Sequence, residues 1–266
     1  MTLLAANMVF FKNSSGIFAD SAIRKALVQG ANVPNIVKNL DYQTRQVREP
    51  ILIGQVAYDK SLVQVGHDLN AAKSALDAAG WTMNSKGIRS KADKTLSFTL
   101  TAPNTSEYHA VASQLNQQWK KLGVDMETEF LEASDFQNAL AYHSYEAILY
   151  GISIGHDPDV FVYWDSSQAD IRSANRLNLS EYKNATADAS LEAGRTRLDP
   201  TLRTIKYKPF LQEWQKDNPA LGLYQPRLLY LTNGRVSGLT EAPINNATDR
   251  FINVHNWQIR EAKVTN

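Results

Sequence analysis

Residues 96–130, LSFTLTAPNTSEYHAVASQLNQQWKKLGVDMETEF, decide the fold class. Leu96, Phe98 and Leu100 alternate with polar neighbours, the period of a half-buried strand. Residues 108–122 change period and read as an amphipathic helix that Gly123 closes. Residues 124–130 return to strand. Upstream, Leu69, Ala72, Leu76 and Ala79 recur at helical spacing behind Asp68, with Gly80 placed as terminator. Downstream, a short helix around 136–141 leads into an apolar strand at 147–150. This exchange of helix and strand predicts an α/β architecture in two or three layers.

The flanks extend the pattern. Residues 8–11 form a short β-prone run before the turn cluster Asn13, Ser14, Ser15 and Gly16. Asp20 is placed to cap a helix carrying Ile23, Ala26, Leu27 and Gly30 on one face. Helical spacing resumes at Val33, Ile36, Val37 and Leu40 after a break near Pro34. Residues 41–66 lack regular pattern and read as a surface excursion. Helices are expected at 182–194 and 203–217 and a strand at 219–231. A turn-rich stretch to Trp257 follows, then a frayed polar tail over 260–266.

Composition narrows the function classes. The chain has 266 residues, 43% of them apolar and 21% charged, with a formal charge of +1. Near-neutrality with scattered Lys and Arg argues against nucleic acid or anionic lipid as partner. The absence of cysteine removes disulfides, thiolate catalysis and sulfur-ligated metal sites. No apolar run is long enough to span a bilayer. Residues 1–11 lack a basic leader and a small-residue cleavage motif, so they read as a buried strand, and any export signal is expected upstream.

The densest group of ionisable residues is the loop at 151–159, with His156, Asp157 and Asp159 between Gly151 and the aromatics Phe161, Tyr163 and Trp164. A glycine-containing loop after a strand is a common meeting place with ligand. The plainer reading of Asp157 and Asp159 is turn or helix capping, and it is preferred for the aspartates alone. His156 with the two aspartates supplies at most two metal ligands, so no metal site is expected. His67, His109, His143 and His255 are isolated. Ser14, Ser15, Ser166 and Ser167 lie in turn contexts, and neither a nucleophile elbow nor a phosphate-cradling glycine motif occurs. Tyr150 and Trp164 suit an aromatic cleft wall, with Trp164 expected to keep an exposed face, whereas Phe161 and Tyr230 read as core.

Several segments, taken in order, resemble the second half of extracellular solute-binding protein family 5, which includes oligopeptide-, dipeptide- and nickel-binding proteins. They are Phe18-Ala-Asp20-Ser-Ala-Ile-Arg24-Lys-Ala-Leu27, Asp68 through Gly80-Trp81, Gly87-Ile-Arg89-Ser-Lys with Leu96-Ser-Phe-Thr-Leu, Gln114 through Gly123-Val, Tyr145-Glu-Ala through Gly151 with Asp157-Pro-Asp159, and Asn218-Pro-Ala-Leu-Gly-Leu-Tyr224. The resemblance implies one lobe of a type II periplasmic-binding-protein architecture, a mixed sheet flanked by helices. Residues 1–235 would form the second lobe, and 236–266 would return to a first lobe absent from this chain. Family members usually carry Trp after the strand glycine, where this chain has Ile152. They often place an aspartate three residues further on, for a peptide α-ammonium, where the shorter loop here has Ile154 or Gly155.

The resemblance implies non-catalytic capture of a small ligand, an oligopeptide above all, for an ABC importer. Tyr150, Ile152, His156, Asp157 and Trp164 are the expected ligand-binding residues. No catalytic residue, metal or cofactor is expected. The expected partners are the ligand, permease subunits and the missing lobe, with the protein acting as a monomer at the cell surface or in the periplasm, lipid-anchored through an upstream segment. A ligand-sensing module of a regulator reusing the fold, and an aspartate-dependent hydrolase built on Asp157 and Asp159, are the alternatives.

Overall fold

A computed structural model of the chain describes residues 1–40, 42, 44–239 and 242–259. The elements in chain order begin with β1 (Ala5–Phe11), α1 (Ser21–Gly30), α2 (Val33–Lys38), β2 (Arg45–Gln46) and α3 (Leu69–Ala78). A small meander of β3 (Thr82–Met83), β4 (Arg89–Lys91) and β5 (Lys94–Thr95) leads into β6 (Ser97–Pro103), α4 (Ser106–Lys120) and β7 (Asp125–Leu131). Then come α5 (Ala133–Tyr142), β8 (Ala147–Ser153), α6 (Phe161–Trp164), α7 (Ala185–Arg195), α8 (Pro200–Asp217) and β9 (Ala220–Gln225). Two short strands, β10 (Val236–Ser237) and β11 (Gln258–Ile259), pair near the end of the described chain.

Local chemistry explains the helix starts. Asp20, Asn32, Asp68, Thr105, Asn184 and Asp199 each accept a main-chain N–H of the first turn, satisfying a donor the helix itself cannot. Pro34 lies inside the first turn of α2 rather than at a break, where its missing N–H costs nothing. Gly123 takes φ +83, and a Cβ there would meet Met83 and Arg89 side chains below 3.0 Å, so glycine is required at that turn.

The main sheet, among the described residues, has the order β2-β9-β1-β8-β6-β7. β6 runs parallel to both β7 and β8, while β1 is antiparallel to β8 and β9. Alternation divides the core in two. Val9, Phe11, Leu149 and Leu100 face α1 to α4, whereas Met8, Phe10 and Ile148 face Trp164, Phe210 and Trp214. The arrangement is helix layer, mixed sheet, helix layer, in agreement with the predicted class.

Several boundaries differ from expectation. Residues 41–66 are not merely a surface excursion, because β2 extends the sheet edge and Val47, Ile51 and Leu52 are buried against the second core. The segment has no helical or strand period because its apolar residues cover a sheet face from an irregular path. β8 continues to Ser153, so Gly151 belongs to the strand and not to a loop. The strand expected over 219–231 stops at Gln225, before Pro226, which has no N–H to extend the ladder, and Leu229 and Leu231 are 70% and 92% exposed. The tail at 260–266 lies outside the described residues.

Candidate functional site

Two adjoining clefts open at one edge of the sheet, where the parallel strands β6, β7 and β8 present their carboxyl ends, the usual position for ligands in open α/β sheets. The first holds about 460 Å³ and is walled by Tyr150, Ile152 and Tyr163 with α5 on one side and residues 175–179 on another. The second holds about 510 Å³ and is lined by Asn7, Tyr42, the start of α4 and residues 226–229. They adjoin at the cross-strand pair Asn7–Gly151. A Cβ on Gly151 would lie 2.6 Å from Asn7 Oδ1, the oxygen that accepts the Tyr108 hydroxyl at 2.9 Å. Glycine here leaves Asn7 and Tyr108 paired.

Glu107, in the first turn of α4, is the carboxylate of this edge. Tyr42 donates to Oε2 at 2.9 Å and Tyr224 to Oε1 at 2.5 Å. Burial, then the neighbouring Glu107 carboxylate, pushes both phenols above their usual range, so they remain donors. Each carboxylate oxygen has a second acceptor position after its tyrosine is bound. The positive end of the α4 dipole adds to the stabilisation of the negative charge. The result is a fixed acceptor facing the cleft, suited to an ammonium or an amide donor. Tyr163 donates to Ser153 O at 2.6 Å and Tyr150 packs 5.2 Å from Phe136, which sets the aromatic wall of the first cleft.

The expected site residues separate. Tyr150 and Ile152 line the first cleft. His156 and Asp157 lie outside the lining of both clefts, and the Asp157 carboxylate is taken by Arg203 at 2.5 and 3.1 Å. Asp159 pairs with Arg195 at 2.8 Å, and its carboxylate also accepts the Phe161 N–H. Both aspartates that the hydrolase alternative named are thus paired with arginines. Trp164 has no exposed face: it is 0% exposed, 5.7 Å from Phe10 and 5.6 Å from Trp214, in the centre of the second core. Its indole was expected at the cleft because it follows an acidic loop, but α6 turns it inward over β1. Tyr230, expected in the core, is 37% exposed beside Trp257. Among the described residues, no three His, Asp or Glu side chains converge in a way that would hold a metal ion.

Asn7, Tyr42, Glu107 and Tyr108 escaped the sequence reading. The available signal was position: Thr105-Ser106-Glu107 opens a helix directly after a strand, where a parallel sheet presents its binding edge.

Known proteins share this fold. The oligopeptide-binding protein AppA of Bacillus subtilis is 27% identical over 235 residues, 85% of this chain and 42% of that one. Its structure in complex with a nonapeptide superposes with a TM-score of 0.80 at 23% identity, covering 98% of this chain and 52% of AppA. NikZ of Campylobacter jejuni, solved with Ni(L-His), gives 0.82 at 23% identity, over 96% of this chain and 52% of that one. The chain therefore spans about half the length of the relatives it matches. Residues 3–173 match the model of the bacterial extracellular solute-binding proteins, family 5, and the chain belongs to that family.

Proposed function

We propose that this chain is the ligand-closing lobe of a two-lobed capture protein that delivers an oligopeptide to an ABC importer, without chemistry of its own. The observation that carries the reading is the pair of clefts at the carboxyl end of β8, one lined by Gly151 and the other by its partner Asn7. Polar and aromatic side chains line both clefts: Tyr150 and Tyr163 in the first, Asn7, Tyr42, Glu107 and Tyr108 in the second. AppA, a relative along most of this chain, supports a peptide as ligand, while NikZ with Ni(L-His) shows that the fold alone accepts other solutes. In this reading a peptide lies along the β8 edge. Tyr150 and Tyr163 wall it, and Glu107 receives its α-ammonium in place of the aspartate that relatives often carry where this chain has Ile154 or Gly155.

Residues 1–235 form the lobe and 236–266 lead back to the partner lobe. The exposed Ile252, Val254 and Ile259 give that segment apolar surface for the contact, next to the exposed Leu229 and Leu231 of the lobe. The protein acts as a monomer on the outer side of the membrane, held near its permease. Native mass spectrometry of the two-lobed parent, purified from the cell envelope, tests the reading: a ladder of co-purified peptides is expected. A metal chelate or sugar in their place would overturn the peptide assignment. Micromolar peptide binding by this 266-residue chain alone, measured by calorimetry, would overturn the two-lobe requirement.

A further inference from the structure

His143 is buried, 1% exposed, and terminates α5 in the left-handed region at φ +47. Its Nδ1 lies 3.1 Å from Glu181 Oε1 and its Nε2 lies 3.1 Å from the main-chain oxygen of Arg176. Both neighbours are acceptors, whereas a neutral imidazole has a single N–H. An imidazolium satisfies both contacts. A proton on Glu181 donated to Nδ1 would be the other solution. It is disfavoured by Lys12, whose Nζ lies 3.5 Å from the same oxygen, and by Ser14, which donates to Oε2. Both neighbours favour the carboxylate. Lys12 also donates to the His143 main-chain oxygen at 2.8 Å, and the Tyr145 ring lies 5.8 Å away. Lys12 is the cation that opposes the imidazolium. Glu181 and the carbonyl end of α5 favour it.

The network joins two parts of the cleft. α5 supplies Leu140 and Ala141 to one wall, and Arg176 and Leu177 supply another. Arg176 and Glu181 also lie in the left-handed region, at φ +45 and +47. A non-glycine residue holds that conformation at a cost, so three in one network need the surrounding contacts to maintain them. The described segment 170–177 is otherwise bonded largely to itself and to Gln168.

We propose that His143, held as an imidazolium between Glu181 and the Arg176 carbonyl, is a positioning residue that clasps the two walls of the cleft. Loss of its proton leaves one acceptor facing a lone pair, loosens residues 173–177 and speeds ligand release. The last step rests on the capture reading above.

The test starts with imidazole nitrogen NMR and amide hydrogen exchange on the 266-residue chain between about pH 5.5 and 8.5, a range bracketing histidine titration. Both ring nitrogens of His143 should be protonated at the acid end. Protection factors at 173–177 should fall about tenfold as the proton leaves. His143→Gln should flatten that step, Glu181→Gln should move it to lower pH, and His67→Gln should leave it in place. A His143 that stays neutral throughout, or a step that His143→Gln retains, overturns the clasp. Release of tetra-alanine from the two-lobed parent should then accelerate over the same pH interval. Flat release with the protection step intact overturns the link to ligand. No peptide binding at all, with the step intact, overturns the capture reading and leaves the clasp standing.

Discussion

The loop at 155–159 and the first turn of α4 both carry carboxylates at the same end of the sheet, yet they serve different ends. Asp157 and Asp159 are tied to Arg203 and Arg195, and the second guanidinium also lies 4.3 Å from the Phe161 ring centroid. Glu107 is held by two phenols, which fix its position without cancelling its charge. An arginine partner consumes a carboxylate; a tyrosine pair orients it and leaves it able to bind. The density of charge along the chain therefore says little about which acid is available.

Substitutions can break or sharpen that contrast. The largest effect is expected behind the acidic loop. Trp164→Ala should lower stability by about 3–5 kcal/mol, as large-to-small changes in a packed core do, visible as an earlier denaturant midpoint. A cleft role for Trp164 would instead show as lost affinity in a stably folded protein.

A third carboxylate, Glu49, has neither kind of partner. It is 1% exposed, and neither oxygen completes a hydrogen bond. Burial is the leading cause that raises its pKa from 4.5 to about 8; the Asp59 main-chain amide opposes this and the Asp59 charge adds to it. Between those two pH values the folded protein keeps a proton that the unfolded chain has released. Stability is therefore fully present below about pH 4.5 and falls as pH rises toward 8. At 1.36 kcal/mol per pKa unit the loss is on the order of 3–5 kcal/mol. Glu49→Gln should flatten this fall in chemical denaturation; an unchanged pH slope would refute the assignment.

Glu107→Gln comes next. Removing a charge-assisted hydrogen bond should cost the two-lobed parent roughly 1.5–3 kcal/mol of affinity for a peptide with a free amine. N-acetylation of the peptide should have a similar effect on the wild type and little further effect on the variant. Folding should change little, because the glutamine oxygen still accepts from a tyrosine. Smallest is Asp157→Asn. The pair it breaks is 64% exposed on the aspartate side, so about 0.2–1 kcal/mol of stability and no affinity should be lost. A tenfold loss of affinity here with Glu107→Gln silent would reverse the contrast.

Much of the scaffold was legible because it depends on neighbours in sequence. The alternation at Leu96, Phe98 and Leu100, the caps at Asp20 and Asp68 and the stop at Gly123 are local signals, and the corresponding elements are present. The cleft depends on remote neighbours. Glu107 reads as an ordinary helix-start acid until Tyr42 and Tyr224 arrive from 65 and 117 residues away. Trp164 follows an acidic loop but is buried by Phe10 and Trp214, whose placement no periodicity reveals. The family resemblance identified the scaffold and located the departure at Ile152, but it carries no sign of the side chains that gather around the clefts in space.

The central position of β1 has a kinetic consequence. Within this chain Ala5–Phe11 precedes both of its sheet neighbours, residues 147–153 and 220–224, by a long stretch of sequence. Both ladders close loops of well over a hundred residues before any pairing energy is recovered, and such connectivity slows folding. Until β9 is available, β1 lacks one of its two neighbours, so the middle of the sheet closes late, when residues 220–224 return onto it.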